Sequence, residues 1–255
     1  MKTYNGEKMN NEYNKDVNSY QSSGKKFNNE RGIISLTSWK ARIGTVGKTL
    51  YNLVTVCPGF HIVLVLSEEE FPRKEKELPE DLMLFVDNDL IEILWVYRNY
   101  KAFKKVLFTM DKYRDVPVIS ADDDCIYLKN YAEEFYNIWE KNRDCFVSIY
   151  GSKRPSGIYH TGGAATLYPP YVFKEYGIKC LSDKILNYTN QDDDYYTCLK
   201  EKMGLNKSII IECHGGWKKF YVFHDDVSPL HKEIHHKDAS QRKEEFNFIS
   251  KNIIL

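Results

Sequence analysis

The sequence lacks an excess of charge of either sign, and this absence limits the classes of partner. Its 36 lysine and arginine residues equal its 36 aspartate and glutamate residues, so the formal net charge is zero at pH 7. Attraction to nucleic acid or to an anionic membrane depends on a surplus of basic side chains. We therefore expect no nucleic-acid partner, whereas association with a membrane surface through a local basic patch stays open.

Long apolar runs and paired cysteines are missing as well. No stretch approaches the roughly eighteen apolar residues that a membrane-spanning helix needs, and no N-terminal apolar run suggests a secretory signal. The six cysteines form no Cys-x-x-Cys pair, and only Cys213–His214 approaches zinc-ligand spacing. These absences predict a cytoplasmic protein with scattered, buried thiols.

Aliphatic residues are scarce at the start of the chain. Residues 1–30 are rich in Asn, Lys, Tyr and Ser, and such a segment buries too little apolar surface to offset its chain entropy. We expect a mobile arm there, with a tethering or packing arm as the alternative. The folded domain is then expected over 31–225, and residues 226–255 form a charged, His-rich tail or a closing helix.

Apolar patterns alternate between strand and helix through the first half of the domain. Strands are predicted at 33–38, 61–67, 90–97, 116–120, 145–149 and 208–212, and helices at 45–56, 72–82, 102–112, 132–141, 171–177 and 193–203. Alternation with short connections predicts an α/β fold with a right-handed, mostly parallel sheet and helices on both faces. Ligands of such folds bind outside the carboxyl ends of the strands.

Three adjacent aspartates, Asp122, Asp123 and Asp124, directly follow the predicted strand 116–120. Adjacent carboxylates repel one another, and a divalent cation such as Mg²⁺ or Mn²⁺ removes that repulsion. In an extended segment alternate side chains share a face, so Asp122 and Asp124 would hold one ion while Asp123 points elsewhere, for example to a ribose hydroxyl. The alternative is a solvated turn or a helix N-cap.

Several further motifs stand before and after the triplet in a fixed order. They are IISLTSWKARI (33–43) with TLYNL (49–53), HIVLVLSEEEFP (61–72), AFKKVLFTM (102–110) with VPVISADDDCIY (116–127), TGGAATLYPP (161–170) and QDDDYY (191–196). Together, over residues 32 to about 205, they resemble bacterial glycosyltransferases of the GT-A fold that build capsules and cell-surface glycans. We therefore expect a single GT-A-like domain.

The resemblance implies transfer of a sugar from a nucleotide diphosphate donor, with a UDP-sugar favoured, to a glycan or glycolipid hydroxyl. It implies that Mn²⁺ or Mg²⁺ bridges the diphosphate at Asp122 and Asp124. The other donor-side residues that it implies are Thr37 and Arg42 near the nucleotide, Ser67 and Glu68 beside the base or ribose, and Lys104 and Lys105 facing the donor. Gly162 and Gly163 let the backbone approach the sugar, although a tight turn explains them as well.

Two later groups of residues complete the expected site. Asp193, with Asp194 as second choice, is the expected base of an inverting reaction, although aspartates also complement the dipole at a helix start. His224 or His214 is the candidate third metal ligand, and a structural histidine is the alternative.

Two other functions remain open. Gly44 to Lys48 weakly imitates the Gly-rich loop of a nucleotidyltransferase. A non-catalytic sugar- or nucleotide-binding module is the second alternative, because a fold alone does not establish activity.

Overall fold

The computed structural model describes residues 20–129, 131–149, 151–154, 157–159, 164–190, 192–211, 216–224 and 239–255. Its strands are β1 (Gln21–Gly24), β2 (Ile33–Thr37), β3 (His61–Ser67), β4 (Glu92–Val96), β5 (Val118–Ser120), β6 (Cys125–Tyr127), β7 (Phe146–Ser148), β8 (Ser152–Arg154), β9 (Gly157–Tyr159), β10 (Thr166–Tyr168), β11 (Ser208–Ile210) and β12 (Tyr221–Phe223). Its α-helices are α1 (Val46–Val56), α2 (Glu80–Asp87), α3 (Lys104–Lys112), α4 (Tyr131–Glu140), α5 (Tyr176–Lys179), α6 (Asp183–Tyr188), α7 (Asp192–Lys202) and α8 (Ala239–Asn252).

Eight strands form one sheet in the order β1-β4-β3-β2-β5-β10-β7-β11. Strands β4, β3, β2 and β5 run parallel to one another, whereas β1 is antiparallel to β4 and β10 is antiparallel to β5 and β7. Parallel neighbours require crossover connections, which α1, α2 and α3 provide. As a result, the carboxyl ends of four strands meet at one edge of the sheet.

Apolar side chains on both faces of the parallel strands form two cores. Along β3, Leu64 belongs to the core beneath α1, α2 and α4, and Val65 to the core beneath α3, α6, α7 and α8. This double burial explains why residues 61–67 read as an unbroken apolar run. The predicted α/β class, with a mostly parallel sheet and helices on both faces, is confirmed by this architecture.

One helix is displaced from its predicted position. The helix expected at 72–82 is a 3-10 turn at Lys74–Glu77 followed by α2 from Glu80 onward. Pro79 directly precedes α2. Proline disfavours helical geometry in the residue before it, and its fixed φ suits a helix start, so the helix begins after this residue.

A second predicted helix is much shorter than expected. Residues 171–177 were expected to be helical, but only Tyr176–Lys179 forms a helix. Tyr171 and Lys174 have φ values of 46° and 49°. A helix needs negative φ throughout, so these two residues confine the segment to turns.

The last part of the predicted arm packs on the domain. Strand β1 pairs with β4 from Gln21 opposite Trp95 to Gly24 opposite Glu92, so the prediction of a mobile segment is wrong for residues 20–30. The pairing gives the backbone N–H and C=O groups of β1 hydrogen-bond partners in an existing sheet. The low apolar content of the segment did not predict this strand. The remainder of that prediction, residues 1–19, lies outside the described residues.

A buried polar cluster lies beneath this segment, at the amino edge of the sheet. His61 Nε2 lies 2.6 Å from Glu92 Oε2, and Lys112 and the Tyr113 hydroxyl also donate to the Glu92 carboxylate. Burial alone would raise the pKa of Glu92, but His61, Lys112 and Tyr113 hold it below its ordinary value. Phe27 covers the cluster, with ring centroids 5.6 Å from His61 and 5.4 Å from Tyr113.

At the other end of the chain, α8 packs against α6 and α7. Its Ile249 and the following Ile253 are buried in the same core as α7. No helix in the described ranges is long and apolar enough to cross a bilayer. Five cysteines lie in these ranges and all are free thiols, four of them buried.

Replacing Phe27 with Ala should destabilise the protein, because the ring covers the buried His61–Glu92 pair. We expect the free energy of unfolding to fall by about 1–3 kcal/mol, below the usual loss for a fully buried phenylalanine. The measurement is chemical denaturation of purified protein. Tyr51→Ala is the matched control, because Tyr51 is 67% exposed and should change stability little. Equal losses in the two variants would contradict a covering role for Phe27.

Candidate functional site

The strand order reverses between β2 and β5. Strands β3 and β4 extend to one side of β2, whereas β5 lies on its other side. The crevice at such a reversal, outside the carboxyl ends of the strands, is the usual ligand site of open α/β sheets. Arg42 follows β2 and the aspartate triplet follows β5, so the chain places an acidic segment and an arginine at this point.

Arg42 bridges two carboxylates of the triplet. Its Nη2 atom lies 3.0 Å from Asp123 Oδ1 and 2.6 Å from Asp124 Oδ2, and all three residues are buried. Burial opposes the guanidinium charge, but Asp123 and Asp124 hold the Arg42 pKa above its ordinary value. The arginine therefore neutralises charge that the two carboxylates would otherwise carry together in a dry environment.

Asp123 is held from a second direction by Ser38, whose hydroxyl donates to Asp123 Oδ2 at 2.6 Å. Burial raises the pKa of Asp123 to about 6, although Arg42 and Ser38 act in the opposite direction and the neighbouring aspartates add to the rise. Ser38 was not predicted as a site residue. The available signals were its position at the end of the predicted strand 33–38 and its place in the motif IISLTSWKARI.

Lys105 is the second buried basic residue of the site. Its Nζ lies 2.8 Å from Asp122 Oδ1 and 3.3 Å from Asp192 Oδ2. Burial alone would lower the pKa of Lys105, but Asp122 and Asp192 raise it above its ordinary range, so the side chain stays charged. The Asp122 N–H donates to the Tyr127 hydroxyl at 2.7 Å, which fixes the backbone behind that carboxylate.

The expected alternation of side chains along the triplet is wrong. Asp122 and Asp124 were expected to share a face, but Asp123 and Asp124 share Arg42 while Asp122 contacts Lys105. Alternation holds for an extended chain. Here residues 123 and 124 form a turn between β5 and β6, so the two-residue period does not apply.

His224 lies beside the triplet although it is 100 residues further along the chain. Strand β12 pairs antiparallel with β6, and the His224 N–H donates to the Asp124 carbonyl at 2.9 Å. His224 Nε2 lies 3.2 Å from the Thr49 hydroxyl, which also lies 3.0 Å from the Asp123 carbonyl and 2.9 Å from the Cys125 carbonyl. Because the hydroxyl hydrogen is used by a carbonyl, Nε2 is the donor in its contact with Thr49.

Two predicted nucleotide residues make other contacts. The Thr37 hydroxyl donates to the Val65 carbonyl at 2.7 Å within the sheet. Glu68 Oε1 lies 3.0 Å from Lys74 Nζ. Both residues lie at the carboxyl edge of the sheet, but the structure gives neither a contact with the triplet.

Ser67 and Lys104 meet at a common partner. The Ser67 hydroxyl donates to Glu70 Oε2 at 2.8 Å, and Lys104 Nζ lies 3.4 Å from the same oxygen. Lys104 is buried, and burial lowers its pKa. This pair therefore supports the loop after β3 rather than the triplet directly.

The acidic start of α7 reaches the site through Asp192, which was not one of the two predicted site residues of this helix. Asp192 contacts Lys105, whereas Asp193 is half-buried and Asp194 is buried. Asp193 lies close enough to Lys105 to contribute to its raised pKa. Successive helix residues point about 100° apart, so sequence alone could not identify which aspartate faces the crevice. Gly162, Gly163 and His214 lie outside the described residues.

The donor atoms suit a hard divalent cation, but among the described residues their side chains are not arranged as a metal site. Carboxylate oxygens and an imidazole nitrogen are ligands that Mn²⁺ accepts. Within the residues that the structure describes, no group of three or more His, Cys, Asp or Glu side chains stands in a geometry that could hold an ion. Arg42 and Lys105 contact the carboxylates of Asp122, Asp123 and Asp124 instead.

The chain has no detectable sequence relative among the proteins compared, and its similarity to solved structures is low. No protein-family model and no curated protein sequence matches the chain. One similar solved structure is GalNAc-T7 with UDP, GalNAc and Mn²⁺, at 14% identity and a TM-score of 0.47, over 66% of this chain and 40% of that one. Another is the glycosyltransferase GlyE of Streptococcus pneumoniae TIGR4, at 11% identity and a TM-score of 0.43, over 71% of this chain and 45% of that one. The chain thus spans less than half of either structure, and TM-scores this low transfer no activity to it.

Tyr127→Phe should weaken the support of the triplet, because the Tyr127 hydroxyl accepts from the Asp122 N–H and donates to the Ala164 carbonyl at 3.1 Å. Losing both bonds should lower the free energy of unfolding by about 1–3 kcal/mol. Tyr136→Phe removes a surface hydroxyl and serves as the control in urea denaturation. Unchanged stability in Tyr127→Phe would show that the hydroxyl does not hold Asp122.

Proposed function

We propose that the protein is a metal-dependent glycosyltransferase. It moves a sugar from a nucleotide diphosphate donor, with a UDP-sugar favoured, to a hydroxyl of a glycan or glycolipid. The observation that carries this proposal is the pairing of Asp122, Asp123 and Asp124 with buried Arg42 and Lys105 where the strand order reverses. The carboxylates suit a cation and the two basic side chains suit an anionic diphosphate, so the set suits a ligand that brings both.

The donor side of the reaction is assigned to the triplet and the two basic residues. Mn²⁺ or Mg²⁺ would supply Lewis-acid stabilisation of the leaving diphosphate, with Asp122, Asp124 and His224 as its proposed ligands. Lys105 stays charged beside Asp122 and so can neutralise charge that develops on the leaving group. Arg42 can contact phosphate oxygens through its planar set of donors.

The acceptor side is assigned to the start of α7. An inverting reaction needs a base that takes the acceptor proton on the face opposite the diphosphate. Asp192 already pairs with Lys105, and Asp194 is buried, whereas Asp193 is half-buried next to them. We therefore retain Asp193 as the proposed base and Asp194 as the second choice.

The nucleotidyltransferase alternative loses its main support. Gly47 and Lys48 belong to α1 rather than to a phosphate-binding loop. A Cβ atom added at Gly47 would lie 3.0 Å from Asp81 Oδ2, so this glycine allows α1 to approach α2 closely. A non-catalytic binding module would bind the donor without consuming it, and measuring donor consumption with and without Mn²⁺ separates that function from transfer.

Replacing Asp122 and Asp124 together with Asn should abolish metal-dependent binding of UDP, because it removes the anionic ligands of the proposed metal. Calorimetry with UDP and Mn²⁺ measures the effect. The double variant Asp87→Asn with Asp89→Asn makes the same charge change on exposed residues and should bind as the wild type does. Unchanged UDP affinity in the Asp122/Asp124 variant would reject the metal role of these residues.

Asp193→Asn should reduce sugar transfer by roughly 10²–10⁴-fold, the usual contribution of a positioned base, while UDP and Mn²⁺ still bind. Transfer is measured with a UDP-sugar and a soluble acceptor, and Asp115→Asn on the exposed surface is the control. Near-normal transfer, or a product with retained anomeric configuration by NMR, would exclude Asp193 as the base.

A further inference from the structure

We propose that Arg42 is an internal cation that competes with the metal for Asp124, so that metal and nucleotide bind strongly only together. The inference rests on the proposed function for the identity of the two ligands. It arises from a disagreement, because the carboxylates expected to hold an ion are already held by the protein's own basic residues.

The contacts of Arg42 leave its guanidinium able to exchange a carboxylate partner for oxygen atoms of a ligand. Both contacts with the carboxylates use one nitrogen, Nη2, which lies 3.0 Å from Asp123 Oδ1 and 2.6 Å from Asp124 Oδ2. Its buried Nε has no hydrogen-bond partner within the described ranges. A permanent arginine–carboxylate pair is usually bidentate, with two parallel N–H···O bonds. Arg42 therefore keeps donor capacity that an oxygen-rich ligand could use.

The surrounding charges explain why the exchange needs two ligands. Lys105 is occupied by Asp122 and Asp192, so Arg42 is the basic residue in contact with Asp123 and Asp124. A metal ion that approached Asp124 alone would meet the guanidinium at short range and would leave it buried with Asp123 as its remaining anion. A diphosphate that arrives with the metal gives Arg42 a new anionic partner.

The backbone at Arg42 is fixed, so the exchange concerns its side chain. The Arg42 N–H donates to the Trp39 carbonyl at 2.9 Å, and the Arg42 carbonyl accepts from both the N–H and the hydroxyl of Thr45, each at 2.9 Å. These bonds lock the turn between β2 and α1. The guanidinium can thus move from a carboxylate to a phosphate without rearrangement of the loop.

The test measures Mn²⁺ binding by electron paramagnetic resonance, without and with UDP. In the wild type UDP should tighten Mn²⁺ binding by about tenfold or more, within the usual range of coupling between two sites. Arg42→Gln should bind Mn²⁺ alone about tenfold more tightly than the wild type and should lose most of the effect of UDP. Arg42→Lys keeps the charge and should keep the coupling. Arg73→Gln, on the surface, is the control.

Three outcomes would overturn the role of Arg42. They are Mn²⁺ binding to folded Arg42→Gln that is no tighter than wild-type binding, an unchanged effect of UDP in that variant, and wild-type Mn²⁺ binding that UDP does not alter although UDP binds. If Arg42→Gln fails to fold, Arg42→Met, which also removes the charge, replaces it in the same Mn²⁺ titrations and should likewise bind Mn²⁺ alone more tightly than the wild type does. Absence of any UDP binding to the wild type would instead reject the proposed function, and the comparison with Mn²⁺ alone would still test Arg42.

Discussion

The site depends on one constraint, namely that several carboxylates brought together in a partly dry crevice must be neutralised. Asp122, Asp123, Asp124 and Asp192 meet there, and Arg42 and Lys105 contact all four. An unpaired buried carboxylate costs several kcal/mol or takes up a proton. The charges are thus arranged in two groups, one around each basic residue, and the remaining polar contacts hold those groups in place.

The parallel sheet is what brings these groups together. The segment after β2 supplies Arg42, the helix after β4 supplies Lys105, and the segment after β5 supplies the triplet. Because parallel strands end at the same edge, residues far apart in sequence become neighbours without long loops. Helix α7 then adds Asp192, and the residue that follows β12 adds His224. Substitutions of residues that share partners in this way have non-additive effects on the free energy of unfolding. The effect of a double substitution here will therefore differ from the sum of the two single effects.

The sequence predicted those features that depend on neighbouring residues in the chain. The apolar run 61–67 predicted a strand covered on both faces, and the position of three aspartates at a strand end predicted the site. The same reasoning could not predict the Thr49–His224 contact, because its partners are 175 residues apart and only the β6–β12 pairing brings them together. It also misjudged which aspartates of the triplet share a face. Residues 123 and 124 form a turn, so their side chains do not alternate as they would in a strand. Pro79 was a usable signal for the start of α2 that the apolar periodicity concealed.

Strand β1 imposes an order on the assembly of the chain. It lies near the start of the chain but pairs with β4, so Gln21 finds its partner Trp95 only after more than seventy further residues have been made. During synthesis from the N-terminus, this segment has no sheet to join until β3 and β4 are in place. Its docking closes a long loop, which costs chain entropy, so we expect it to follow the formation of the local helices. We therefore expect the first described strand of the chain to join the sheet late, and the polar cluster under Phe27 to stay open to water until it does.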